Sequence, residues 1–198
     1  MKPLALDPGE YTGTYKLIGG RVSLDFINTI SWPDTRRQHD WLNTPANVSA
    51  WLGAVGLATG PVSRGDITEI QRIRRTLGEV LRPLAHGEAP SRTDVVQFNE
   101  LVASAQQRRF IDPVGLDWNW RTPSEGHHLL APVILDAADL IIESDHGRLR
   151  HCPSCDWIFE DQSRNGRRRW CDMADCGSRA KARAYYERTK SQQSNQAM

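Results

Sequence analysis

Apolar residues along this chain recur mostly at helical spacing. Thr44-Pro45 opens one helix, with Pro at its first position and Val48, Trp51, Leu52 and Val55 on one face. From Asp66, Ile67, Ile70, Ile73, Leu77, Val80, Leu81 and Leu84 keep the helical period. Ser91-Arg92-Thr93-Asp94 resembles a capping box ahead of Val95, Phe98, Leu101, Val102 and Ala105. Phe110-Ile111 and Leu116-Asp117-Trp118-Asn119-Trp120 read as strands of a small sheet. A further helix carries Leu130, Ile134, Ala137 and Ile141. It is capped by Ser124 or starts nearer Ala131, because Pro132 does not fit a helix interior. Asp145-His146-Gly147 marks a linker. Beyond it, Asp156-Trp157-Ile158-Phe159-Glu160 alternates as a strand with Trp157 and Phe159 on one face. Turn chemistry follows over 161–166, and residues 167–170 read as a returning strand. Ser178 then caps a helix reaching about Lys190, leaving 191–198 as a disordered polar tail.

Composition adds little until it is localised. The 198 residues are 39% hydrophobic and 25% charged, so wholesale disorder is excluded. The longest apolar stretch, within 129–142, is interrupted by Asp136 and Asp139, and nothing approaches the ~20 residues that span a bilayer. No membrane partner is expected. The first residues have no apolar secretory core, which makes the cytoplasm the expected compartment. The net charge of +1 conceals an asymmetry: residues 148–190 hold eleven Lys and Arg against six Asp and Glu, a net +5, and the remainder carries −4. Such a division suggests two jobs.

All four cysteines, Cys152, Cys155, Cys171 and Cys176, lie in the basic segment. Two close pairs separated by fifteen residues suit tetrahedral Zn2+, each pair donating two thiolates from a tight turn. Two disulfides would need an oxidising compartment, and a redox CxxC would leave the second pair without a role. One Zn2+ per chain is therefore expected. With four thiolates and the metal counted, the segment still carries +3. Some 45 residues bury too little to fold alone, so the metal supplies folding energy.

The segment resembles the CGNR zinc finger. It reads Cys152-Pro153-Ser154-Cys155-Asp156-Trp157-Ile158-Phe159-Glu160-Asp161-Gln162-Ser163-Arg164-Asn165, then Arg168-Arg169-Trp170-Cys171-Asp172-Met173-Ala174-Asp175-Cys176-Gly177-Ser178-Arg179-Ala180-Lys181. It departs from that pattern at Ser178, where the family name has Asn, and at Asp156, where many members have Gly. The second departure alters the knuckle, because Gly tolerates positive φ more readily than Asp. Leu24-Asp25-Phe26-Ile27-Asn28-Thr29 resembles the L-D-F-x-N-T signature of the ABATE domain, the usual N-terminal partner of this finger. The pairing implies a stress-responsive transcription regulator whose N-terminal domain senses a small molecule. The expected fold is α+β: a helix-rich N-terminal domain with a small sheet over 1–147, then a small treble-clef-like four-cysteine zinc finger over 148–190.

Candidate residues follow. Arg167, Arg168, Arg169, Lys181 and Arg183 are placed against DNA, with Arg167 and Arg169 on one face and Arg168 on the other. Arg179 is expected to fold back over the zinc thiolates. Asp25, Asn28 and Thr29 either line an effector pocket or tie a turn to its neighbours, and the structural role is favoured. The His127-His128 pair beside Glu125 has no chelating helical spacing. No phosphate loop, nucleophile elbow or HExxH is present, so no enzyme is expected. The rival readings are a zinc-stabilised protein-interaction module and an RNA-binding one. Exposed Trp157 and Trp170 would serve RNA, but both are expected to be buried. A small-molecule effector and a homodimer are compatible partners.

Overall fold

The structure, a computed structural model, describes residues 3–33, 35–121, 125–143 and 146–196. Ser124 and Asp145, expected as a helix cap and a linker residue, lie outside the described residues. Helices dominate: α1 (Val22–Ile27), α2 (Pro45–Ala54), α3 (Arg64–His86), α4 (Arg92–Gln106), α5 (Ala131–Glu143) and α6 (Ser178–Gln196). Among the described residues, three two-stranded antiparallel sheets punctuate them: β1 (Ile30–Ser31) with β2 (His39–Asp40), β3 (Arg109–Ile111) with β4 (Trp118–Trp120), and β5 (Leu149–His151) with β6 (Ile158–Glu160).

Local chemistry explains the long helices. Thr44 Oγ1 accepts from the Asn47 N–H at the start of α2. Ser63 and Asp66 form a reciprocal capping box on α3, which ends at Gly87 in the left-handed region, φ 79°. Pro132 falls in the first turn of α5, after a 3-10 turn over Gly126–Leu130, so its missing N–H costs no helical bond.

The short helix α1 carries no capping signal of its own. Its cap arrives from α5: Ser23 N–H and Oγ both donate to Asp136 Oδ2, at 2.9 and 2.5 Å, and Arg21 pairs with Asp136 Oδ1 at 2.9 Å. The acid that breaks the apolar run of α5 is therefore the group that holds α1. Five of the six α1 residues are buried, in contact with α3, α5 and β6.

The core does not stop at residue 147. Leu24, Phe26, Leu77, Leu81 and Ala137 belong to one buried cluster with Leu149, Ile158 and Phe159. Contacts of β5 with α3, and of β6 with α1 and α3, carry that cluster across the expected boundary. Two sequence expectations for this region are corrected. Residues 167–170 form no strand, and β6 pairs instead with β5, which precedes the first cysteine pair. The final helix runs on to Gln196, so residues 191–196 continue α6 rather than forming a separate tail.

Candidate metal centre and basic surface

The first cysteine pair sits at the tip of the β5–β6 hairpin. Cys152 N–H donates to the Trp157 carbonyl and Asp156 N–H to the Cys152 carbonyl, both at 2.8 Å, which closes a tight knuckle. The turn requires Asp156 at φ 59°, a left-handed conformation that glycine adopts more freely. The second pair is set by a π-turn over Met173–Gly177, which Cys171 precedes, capped by Asp172, whose Oδ1 accepts from Ala174 N–H at 2.9 Å. Cys176 lies in that turn, immediately before α6.

All four sulfurs lie within 4.8 Å of one another, and Cys171 Sγ is 3.5 Å from the sulfurs of both Cys155 and Cys176. Zinc–sulfur bonds near 2.3 Å in a tetrahedron place sulfurs about 3.8 Å apart, so the cage is metal-sized. No cysteine is in a disulfide, and all four are buried. Such crowding prevents all four from ionising unaided. Hydrogen bonds from the other three sulfurs drive the Cys152 thiol down, while the bonds with Cys152 and Cys176, together with burial, hold Cys155 and Cys171 up. A divalent cation at the centre removes that conflict. The finger holds one zinc ion.

The surroundings answer the residual negative charge. Arg179 Nη2 donates to Cys176 Sγ at 3.2 Å and its Nη1 reaches Asp175 at 3.2 Å. Arg168 also turns inward. Its side chain donates to the carbonyls of Trp170, Ile18 and Cys171, and its guanidinium lies 4.2 Å over the Phe159 ring. Arg168 N–H donates to buried Asp161 Oδ2 at 2.8 Å. The Nε and Nη2 donors of Arg168, which the sequence placed against DNA, are thus engaged inside the chain. Arg167 and Arg169 stay exposed, as do Lys181 and Arg183 on α6. Trp157 is buried, with its Nε1 donating to the Ile30 carbonyl at 2.9 Å, whereas Trp170 is only half-buried, beside Arg169.

Asp25 Oδ1 accepts from the Ile18 and Gly19 N–H groups, each at 2.8 Å. Asn28 pairs with β6 at both ends, donating to the Ile158 carbonyl at 2.7 Å and accepting from Ile158 N–H at 2.9 Å. Thr29 Oγ1 donates to Phe26 O and accepts from Arg74, itself clamped on Asp40. All three side chains are thus engaged in hydrogen bonds within the chain. No sequence signal could show that Asn28 meets a strand 130 residues away. His127 and His128 do converge with Glu125, on a 3-10 turn rather than a helix, but Asp66 and Arg108 already occupy them.

Asp25 carries a pH signature. Burial pushes its carboxyl up to about 6, against the pull of the Gly19 and Ile18 N–H groups and Arg168. Between pH ~4 and ~6 the folded chain therefore keeps a proton that the unfolded chain releases, and stability falls as pH rises through that window. Two pKa units correspond to about 3 kcal/mol. Asp25→Asn keeps an acceptor for both N–H groups and is expected to lack this decline. Urea unfolding of both proteins at pH 4.5 and 7 checks it, and equal pH dependence would refute it.

Among the described residues, no helix is long and apolar enough to cross a membrane. No curated protein matches the chain. The CGNR zinc finger family matches residues 148–189, enclosing all four cysteines. The ABATE family, described as "Putative stress-induced transcription regulator", matches residues 20–144. That match takes in α1 through α5, more than half of the sequence, and the metal cage lies within the finger match. The chain belongs to the ABATE family and carries a CGNR zinc finger at its C-terminal end.

Proposed function

We propose that this protein is a DNA-binding regulator of transcription, acting in the cytoplasm, where four free thiols stay reduced for zinc. The observation that carries the reading is α6. From 178 to 190 every residue is exposed except Ala180 and Thr189, which are half-buried. It bears Arg179, Lys181, Arg183, Arg188 and Lys190 against the single acid Glu187. A helix with no buried face over this stretch has no core to hold it in place, and a helix of this width fits the DNA major groove. The metal cage anchors its N-terminal end. Arg167 and Arg169 supply a second exposed cationic element next to Arg150. Lys181, Arg183, Arg167 and Arg169 are the contacts in this reading, and Arg179 serves the thiolates.

A small-molecule effector, if the N-terminal domain senses one, has a better place than Asp25, Asn28 and Thr29. A cavity of about 490 Å3 is lined by Leu57, Pro61, Trp120 and Leu129, with Arg108 and His128 at its polar side. Its size suits a small organic ligand. The exposed apolar tip of the β3–β4 hairpin, with Val114, Leu116 and Trp118, favours the second reading, a protein-interaction module or a homodimer. A dimer would bring two fingers to two half-sites.

Arg167→Ala and Arg169→Ala are each expected to weaken binding to duplex DNA and to lower the salt slope by about one unit. Lys181→Ala and Arg183→Ala should behave alike. Arg168→Ala is expected to lower thermal stability instead. Titration of genomic and random duplexes over a range of salt checks this. Wild-type affinity and slope in all four exposed variants would remove DNA and favour the interaction module.

A further inference from the structure

The last turn of α3 faces the zinc knuckle across a side-chain cluster that the cysteine cage does not use. His86 Nε2 lies 3.2 Å from Asp156 Oδ1, and His151 Nδ1 lies 3.5 Å from the same oxygen. The two imidazoles stack with centroids 3.8 Å apart, and one donor atom from each of the three residues falls within 4.8 Å of the others. We propose that His86, His151 and Asp156 form a second metal site, for a divalent transition ion of the zinc, cobalt or nickel type.

Three observations support it. The first is spacing. Metal–nitrogen bonds near 2.0–2.1 Å in a tetrahedron put ligand atoms about 3.3 Å apart, which the two contacts straddle. As hydrogen bonds the same contacts are poor, one at the long limit and one beyond it. The second is the division of the carboxylate. Asp156 Oδ2 faces Arg82 at 3.5 Å, and Arg82 Nη1 also donates to the Asp156 carbonyl at 3.1 Å. This leaves Oδ1 turned toward both imidazoles. The third is the backbone. Asp156 occupies φ 59°, a conformation in which glycine would be less strained, yet the residue present brings a carboxylate to two histidines.

Two imidazoles and one carboxylate suit borderline divalent ions, and three protein ligands leave positions for water or an anion. The three side chains are between 36% and 45% exposed, so an ion can enter from solvent. A cavity of about 560 Å3, lined by His86 and His151 with Arg150, Arg167 and Arg169, opens beside them. An ion here would bridge α3 to the knuckle. The proposal does not depend on DNA binding, and either can fail without the other.

The test is a titration of the full chain, with the cysteine cage already filled with zinc, against Co2+ and Ni2+. One further equivalent is expected, with a visible Co2+ spectrum that lacks thiolate charge transfer. His86→Ala and Asp156→Gly should each weaken that second ion by about tenfold or more and retain the first zinc. His86 lies on α3, away from the cysteines, so its variant remains decisive if Asp156→Gly disturbs the knuckle. A zinc-filled chain that takes no further ion, or binding unchanged in His86→Ala, overturns the proposal.

Discussion

Removing the zinc, by chelation or by Cys171→Ser, is expected to destabilise the whole chain in one transition rather than melt the finger alone. The sequence favours the opposite, since residues 148–190 read as a self-contained module beside a domain with its own core. The structure joins them. Phe159 and Ile158 lie in the same buried cluster as Leu24, Phe26 and Leu81. Polar ties reinforce the joint: Glu160 N–H donates to the Gly19 carbonyl, Arg168 to Ile18, and Trp157 to Ile30. Zinc contributes on the order of 10–16 kcal/mol to isolated finger peptides, against a total stability of about 5–15 kcal/mol for an ordinary domain. If the shared core loses about 5 kcal/mol of support, a chain of this size should melt at least ~10 °C lower. Calorimetry with and without chelator reads this. Two separate transitions, with the upper one unmoved by chelation, would show independent domains.

Asn28→Ala should be among the most damaging single substitutions outside the cysteines. The Asn28 amide satisfies both backbone groups of Ile158, and both residues are fully buried. Truncation leaves a donor and an acceptor without partners in a dry site. Each costs about 1–3 kcal/mol, so the pair costs roughly 2–6 kcal/mol. The same change should make zinc easier to remove, because it loosens β6 on α1. Denaturant unfolding of the zinc-loaded variant measures the first effect and a chelator challenge the second. A loss below about 0.5 kcal/mol would mean the amide is not the tie it appears in the geometry.

The elements that the sequence reveals are those whose cause is local. Thr44-Pro45 and the period from Ile67 to Leu84 announce α2 and α3, since a cap and an apolar stripe act within one helix. The four cysteines announce their metal, because two thiolate pairs at that spacing suit one tetrahedral ion. Helix α1 escapes that reading: it is six residues long, and its cap, Asp136, comes from 113 residues away. The run 167–170 is misread for a related reason. The turn residues before it suggest a returning strand, but Asp161 and the inward carbonyls claim Arg168, and β6 pairs with β5 instead. Even so, Arg167 and Arg169 end up exposed and Arg168 half-buried, so the division among the three comes from hydrogen bonding rather than from pleating.

By itself, then, the sequence determined the helices with their own caps, the zinc cage and the excess of positive charge around it. Only the tertiary structure decided that the finger shares the N-terminal core. It also chose the hydrogen-bond partners of Asp25, Asn28 and Thr29, and brought His86 to Asp156. Periodicity and spacing report what neighbouring residues do to one another. A buried amide or carboxylate is assigned its role by whichever distant group satisfies it, and that partner is chosen by packing.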